Sequence, residues 1–82
     1  MKDTVQEFTS KLEMEFQDLQ PGTLKPESEF RKTFDWSSIN ALIMMAFVET
    51  EYRINIQIFE LETCNDIQSL YELVKGKAPR RS

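Results

Sequence analysis

Apolar residues recur at helical spacing near the start of the chain. Four of them are separated by steps of three, four and four residues: Val5, Phe8, Leu12 and Phe16. This stripe predicts a helix over residues 3–17 that packs by one face, with its charged residues on the other. Either Asp3 or Thr4 can cap its start.

A long connection follows this first helix, in the sequence "QDLQPGTLKPES". Pro21-Gly22 and Pro26 disfavour regular structure there, and "SEFRKTF" predicts at most a short helical turn. We expect four apolar residues to anchor the connection to the core: Leu19, Leu24, Phe30 and Phe34. A loop of this length is unusual in so short a chain and therefore calls for a functional reason.

The second helix is predicted to run from Ser37-Ser38 to Tyr52, and it is apolar on two sides. At 100° per residue, the first arc holds Ala41, Met44, Met45, Val48 and Tyr52. The roughly opposite arc holds Ile39, Leu42, Ile43, Ala46 and Phe47. The first arc is wide enough to supply the core. The second has to be covered by the long loop, a bound molecule or a partner protein, and any exposed remainder beside Ser38 would be a docking patch.

The last third of the chain contains isoleucines that alternate with polar residues at 54–58. A single strand would have no partner in this sequence, so we interpret the segment as a loop that leads into a short helix near "FELE". Asn65 or Asp66 can cap a final helix that ends at Gly76. Its apolar residues are Ile67, Leu70, Tyr71 and Val74. The prediction is therefore an all-α bundle of three main helices and one short helix.

Charge is unevenly distributed along the 82 residues. Four of the ten basic residues fall in the final "KGKAPRRS", so residues 1–74 carry 6 basic and 14 acidic side chains, a net charge of −8. Such a body repels phosphate backbones and favours basic protein partners. We expect one domain over 1–76 and a flexible basic tail over 77–82. No apolar run is long enough to span a membrane, and no signal-peptide pattern is present.

The composition excludes most catalytic sites. Histidine is absent, which removes the commonest general base and metal ligand. The single cysteine, Cys64, cannot form an intramolecular disulfide, which favours a reducing cytoplasm, and we expect it to be a small buried apolar residue. At the serine pair, the first helical turn offers unpaired N–H groups and the positive end of the helix dipole. A phosphate esterified to a hydroxyl there would be well accommodated.

The segment "SSI" followed by "ETEY" at 49–52 resembles the acyl carrier protein family, whose mark is Asp-Ser-Leu at the start of the second helix. The final "NDIQSLYELV" fits the family as well, and the similarity runs from about Phe30 to Val74. The resemblance implies an acyl-carrier-like four-helix bundle, a carrier and not an enzyme. It implies a 4′-phosphopantetheine arm from coenzyme A on Ser38, attached by a phosphopantetheinyl transferase, and acyl groups carried on the arm as thioesters.

The same resemblance implies a docking surface around the arm. Its predicted residues are Trp36, Ser37, Ile39, Leu42, Ile43, Ala46 and Glu49. The implied partners are ketoacyl synthase, acyltransferase or acyl-ligase enzymes, met by a cytoplasmic monomer. Three departures from the family pattern stand out: Ser37 replaces an acidic residue, Trp36 a small residue, and Ile43 a common carboxylate. Ser37 bears on recognition by the transferase, and Trp36 is a candidate anchor for a partner. The loss of acidity at Ile43 indicates docking that depends more on apolar contact, as in a specialised fatty-acid or polyketide-type pathway.

Two other functions remain open at this point. An aminoacyl or peptidyl carrier would share the same fold and the same attachment serine. A helical adaptor of this fold would never be modified, and Ser37 in place of an acid is the feature that favours it.

Overall fold

The computed structural model describes residues 3–16, 20, 22–33 and 37–77. Within them the chain is all-helical and compact, with a radius of gyration of 11.8 Å. Five helical segments are present: α1 (Val5–Glu13), α2 (Phe30–Thr33), α3 (Ser38–Tyr52), α4 (Ile58–Glu62) and α5 (Ile67–Lys77). The predicted all-α class is confirmed for this part of the chain, and the short turn predicted in "SEFRKTF" is α2.

Helix α1 begins at the predicted cap but ends early. The Thr4 hydroxyl accepts the Glu7 N–H at 3.2 Å, and the Glu7 carboxylate accepts the Thr4 N–H at 2.9 Å. The helix stops at Glu13, short of the predicted end at 17. Beyond it, Phe16 is buried in the core. Its backbone N–H donates to the Glu13 carbonyl at 3.1 Å, which closes a turn after the helix. The predicted apolar stripe therefore faces the core, with Phe8, Leu12 and Phe16 buried and Val5 partly buried, although its last member lies outside the helix.

The long connection is held by a buried carboxylate. Glu13 accepts the backbone N–H groups of Gly22 at 3.0 Å and Leu24 at 2.7 Å. Because Glu13 is 8% exposed, these bonds satisfy a charge that would otherwise be costly to bury. They fix the start of the loop against the end of α1.

The other end of the connection caps α5. The Ser28 carbonyl accepts the Ile67 N–H at 3.1 Å, and the Pro26 carbonyl accepts the Gln68 N–H at 2.7 Å. At the start of α5, the Asp66 carboxylate also accepts the Ser69 N–H at 2.8 Å. Asp66 is one of the two residues predicted to cap this helix.

Two of the four predicted loop anchors lie within the described residues, and both are buried. Leu24 is 5% exposed and Phe30 is fully buried. The other two, Leu19 and Phe34, lie outside the described residues.

The core is centred on the ring of Phe8, which is fully buried. Its centroid lies 5.7 Å from that of Phe47, 5.6 Å from Tyr52 and 5.6 Å from Tyr71. Edge-on and offset contacts at these distances are favourable beyond the area that they bury. Rings from α1, α3 and α5 thus meet at one point.

Asp3 links the same three helices at the edge of this cluster. Its carboxylate accepts the Tyr52 hydroxyl at 2.8 Å and the Lys11 ammonium at 2.8 Å, and its carbonyl accepts the Tyr71 hydroxyl at 2.7 Å. Lys11 and then Tyr52 lower the pKa of the Asp3 carboxyl below its usual 3.8. Burial, assisted by the hydrogen bond to Asp3, raises the pKa of the Tyr52 hydroxyl.

The position of Phe47 contradicts the sequence analysis. It was predicted on the arc opposite the core, but it is 3% exposed. At 100° per residue it lies at the margin between the two arcs, and the rings of Phe8 and Tyr52 extend the core to that margin.

The predicted loop at 53–57 is confirmed. Arg53 ends α3 in the left-handed conformation, with a φ of 56°, and the buried side chains of Ile54 and Ile56 fix the segment to the core. It leads into α4, in the region predicted from "FELE".

Helix α5 continues past its predicted end at Gly76 to Lys77. The Lys77 ammonium lies 2.7 Å from the Glu60 carboxylate of α4, and this ion pair holds the last turn of α5. Residues 78–82, the greater part of the predicted basic tail, lie outside the described residues. Among the described helices, none has both the length and the apolar character needed to cross a membrane.

We expect Phe8→Ala to lower the free energy of unfolding by about 3–5 kcal/mol, because it leaves a cavity among three rings. A chain of this length has a total stability of about 4–12 kcal/mol, so the loss should be evident in urea unfolding followed by circular dichroism. Met14→Ala is the control, since Met14 is 80% exposed, and its effect should stay within about 0.5 kcal/mol. Equal urea midpoints for the two variants would contradict a Phe8-centred core.

Acid should destabilise the fold through carboxylates whose pKa is lowered in the folded state. For Asp3 the stabilisation is complete above its usual pKa of 3.8 and is lost as the pH falls through the lower folded-state pKa. Asp66, which accepts hydrogen bonds from Ser69, behaves in the same direction. Urea midpoints measured across this acidic range should fall less steeply for Asp3→Asn than for wild type. Glu27→Gln, at an exposed loop position, should retain the wild-type slope.

Candidate functional site

The serine pair lies at the start of α3, and its two members have different structural roles. Ser37 is the N-cap: its backbone is extended, and its hydroxyl oxygen accepts the Asn40 N–H at 3.3 Å. Its carbonyl accepts the Ala41 N–H at 3.0 Å. Ser38 is the first helical residue and is exposed. The pair therefore separates into a capping hydroxyl and a second hydroxyl that faces solvent.

The electrostatic setting of Ser38 suits an anion. Helix α3 has 15 residues and no acidic side chain in its first turn. Within the first turn, therefore, no carboxylate offsets the positive end of its dipole. Unpaired N–H groups in the first turn of a helix are the usual donors to phosphate. A phosphodiester on the Ser38 oxygen would be placed at this end of the helix.

An exposed stripe continues from Ser38 along α3. Ile39 is 69% exposed and Leu42 is 59% exposed, and Ala46 and Glu49 are also exposed. Steps of three and four residues put these side chains on one side of the helix. We call these four residues the α3 face. Most of the second arc is therefore uncovered.

Two other predicted docking residues have a different status. Ile43 is half-buried and packs against the core, so it offers a partner only part of its side chain. Trp36 lies outside the described residues. Of the predicted docking set, Ser37 and Ile39 are the chain neighbours of Ser38, and the rest of the α3 face extends from there along the helix.

Helix α4 adds two exposed apolar residues that the sequence analysis did not assign to a docking surface. Ile58 is 45% exposed and Phe59 is 64% exposed, whereas Leu61 is fully buried. We call the two exposed residues the α4 pair. The spacing of Phe59 and Leu61 places them on nearly opposite sides of a helix, but it does not say which of the two is buried.

A reactive cysteine and a metal site have less support among the described residues. Cys64 is 4% exposed, as predicted for a buried apolar residue, and its thiol donates to the Glu60 carbonyl at 3.6 Å. No group of three or more acidic or cysteine side chains that could hold a metal ion occurs in the described part of the chain. Among the described residues, the start of α3 is therefore the best candidate for a functional site.

Comparisons with known proteins do not assign the chain to a family. No protein-family model matches it, and no significant match was found among curated proteins or solved structures.

The capping roles can be tested by stability. Ser37→Ala should lower the free energy of unfolding by about 1 kcal/mol, because it removes the acceptor of an N-terminal N–H. Ser38→Ala, at an exposed non-capping position, should change it by less than about 0.5 kcal/mol. Thermal and urea unfolding of both variants would measure this difference. A larger loss for Ser38→Ala would mean that the cap is assigned to the wrong serine.

Proposed function

We propose that this chain is an acyl carrier protein that holds its cargo on a 4′-phosphopantetheine arm attached to Ser38. One observation carries the proposal: an exposed serine that does not cap its helix lies at the start of α3, directly before an exposed apolar face. A modifying enzyme needs an accessible hydroxyl, and partner enzymes need a surface beside it. The similarity to the carrier family in "SSI" and "ETEY" supports the same reading.

The residues around Ser38 fit the phosphate of such an arm. The first turn of α3 contains no carboxylate to repel it, and the helix dipole favours negative charge there. Ser37 already satisfies the Asn40 N–H, so capping does not depend on the oxygen that would be esterified. The arm can therefore be attached without removing a bond that holds the helix.

Attachment of the arm requires a base from outside this chain. A bond forms between the Ser38 oxygen and the phosphorus of coenzyme A that bears the pantetheine, and adenosine bisphosphate leaves. The hydroxyl proton passes to a base of the phosphopantetheinyl transferase, because the chain has no histidine and acts as substrate. When bound, the arm supplies a terminal thiol that carries acyl groups as thioesters. The chain's own part is to present Ser38 and to bind partners.

The α3 face supports partner binding that combines apolar contact with limited charge. Ile39 and Leu42 supply an exposed apolar centre, and Glu49 adds a negative group on the same side. Apolar side chains in the centre and charges at the rim are the usual arrangement of a protein interface. Ketoacyl synthase, acyltransferase or acyl-ligase enzymes of a specialised fatty-acid or polyketide-type pathway, in the cytoplasm, are the proposed partners.

Loading with coenzyme A tests the proposal directly. Incubation with a promiscuous phosphopantetheinyl transferase should add one phosphopantetheine group to the wild-type protein, located by peptide mapping to Ser38. Ser38→Ala should gain nothing, and Ser37→Ala should still be loaded. Intact-protein mass spectrometry measures each result, and circular dichroism confirms that the variants are folded.

Other outcomes lead to different functions. Loading of Ser37 in place of Ser38 would show that the attachment site is wrong. A folded protein that no transferase modifies would favour the unmodified helical adaptor, for which the neutral Ser37 is the supporting feature. A loaded protein that accepts an aminoacyl group and no acyl group would be an aminoacyl or peptidyl carrier.

A further inference from the structure

The α4 pair lies close to the point where the last helix is bound to α4. Phe59 is 64% exposed and Ile58 is 45% exposed. Glu60, the next residue along the chain, accepts the Lys77 ammonium at 2.7 Å, and the same ammonium donates to the Asn55 carbonyl at 3.4 Å. Because Lys77 is the last residue of α5, the chain leaves this helix beside α4.

The outer side of α4 combines apolar groups with a carboxylate. Around the helix axis, Glu62 lies about 40° from Ile58 and about 60° from Phe59, and therefore between them. Glu62 is exposed, whereas Leu61 is fully buried. Apolar area around an acid is complementary to arginine and lysine, whose apolar stems can lie on it while their charged ends meet the carboxylate. The face of an aromatic ring attracts the same cations.

The residues that follow α5 have the composition that this side of α4 requires. Residues 78–82, which we call the tail and which lie outside the described residues, read "APRRS" and contain two arginines and no acid. They follow a body, residues 1–74, with a net charge of −8. Pro79 disfavours helical backbone at the residue before it and has a restricted backbone itself. A restricted tail loses less conformational entropy when it binds.

The tail is long enough to reach the α4 pair. Five extended residues span about 17 Å, and Arg80 and Arg81 are three and four residues beyond Lys77. Lys77 already contacts Glu60, and the Cα atoms of Glu60 and Phe59 are about 3.8 Å apart as chain neighbours. The arginines can therefore reach Phe59 without any change in the described helices.

We propose that the tail docks on α4 of its own chain and covers the α4 pair, with an arginine over the Phe59 ring and beside the Glu62 carboxylate. A tether this short keeps the local concentration of the tail in about the millimolar range, so weak contacts are enough. The net charge of −8 on residues 1–74 opposes a second copy of the chain at the same place. The composition alone had indicated a flexible tail.

A docked tail regulates access to α4. Any protein that binds the α4 pair has to displace the tail first, and its apparent affinity is lowered by the fraction of chains in which the tail is bound. The tail also removes an exposed aromatic side chain from contact with other molecules. The inference does not depend on modification of Ser38, so its failure would leave the carrier proposal unaffected.

Nitrogen-15 relaxation of the backbone amides in the 82-residue chain tests the docking. Order parameters are about 0.85 in a rigid backbone and below about 0.6 in a flexible one. We expect Arg80 and Arg81 to lie above about 0.6 in the wild-type protein and below it in Phe59→Ala, because this variant removes the ring that the arginine covers. Raising the salt concentration from about 0.1 M to about 1 M should have the same effect, since the Debye length falls from about 10 Å to about 3 Å.

Two variants serve as matched controls. Met14→Ala truncates an apolar side chain that is 80% exposed on α1, and Lys25→Gln removes an exposed positive charge from the long connection. Both should leave the order parameters of Arg80 and Arg81 at their wild-type values. Unchanged amide spectra of the core residues verify that each variant is folded.

Three results would overturn the inference. Wild-type order parameters below about 0.6 at both arginines would show that the tail is not docked, and would leave the α4 pair to a partner protein. An ordered tail that Phe59→Ala does not loosen would be bound to another surface. Tail order that disappears on dilution, together with a dimer mass in sedimentation, would mean that the tail binds a second copy.

Discussion

The fold depends on the burial of one aromatic ring. Phe8 contacts rings from α3 and α5, and a chain of this size has few other ways to join three helices in a single core. Asp3 adds hydrogen bonds to Tyr52 and Tyr71 at the edge of the same cluster. These contacts fix how α3 is rotated about its axis, and that rotation decides which of its apolar residues face solvent.

The described part of the long connection is held by hydrogen bonds to its backbone as well as by the buried side chains of Leu24 and Phe30. Glu13 binds its first part, and the carbonyls of Pro26 and Ser28 bind the start of α5. Buried N–H groups need acceptors, and this arrangement satisfies those of the loop and of the helix end together. The outer side of α3 is exposed at Ile39 and Leu42, and the proposed carrier function uses these residues for partner binding.

The candidate site combines local and long-range causes. Local sequence decides that Ser37 caps the helix and Ser38 does not, because the cap is the residue that precedes the first helical turn. The exposed apolar groups beside them are a tertiary result, because helix packing elsewhere leaves them without a neighbour. A carrier function makes use of both, as the hydroxyl has to be accessible and the surface next to it has to bind proteins.

The sequence by itself determined the helical class, the start of α3 at its serine cap and the core-facing stripe of α1, because these follow from spacing within one segment. It also predicted that α3 is apolar on two sides, and it left open what covers the second side. Only the tertiary structure decided that Phe47 is buried and Phe59 exposed. Periodicity gives the angle of a side chain around its helix. It does not say where a neighbouring helix crosses, and that crossing depends on contacts between residues far apart in the chain, such as those of Asp3 with Tyr52 and Tyr71.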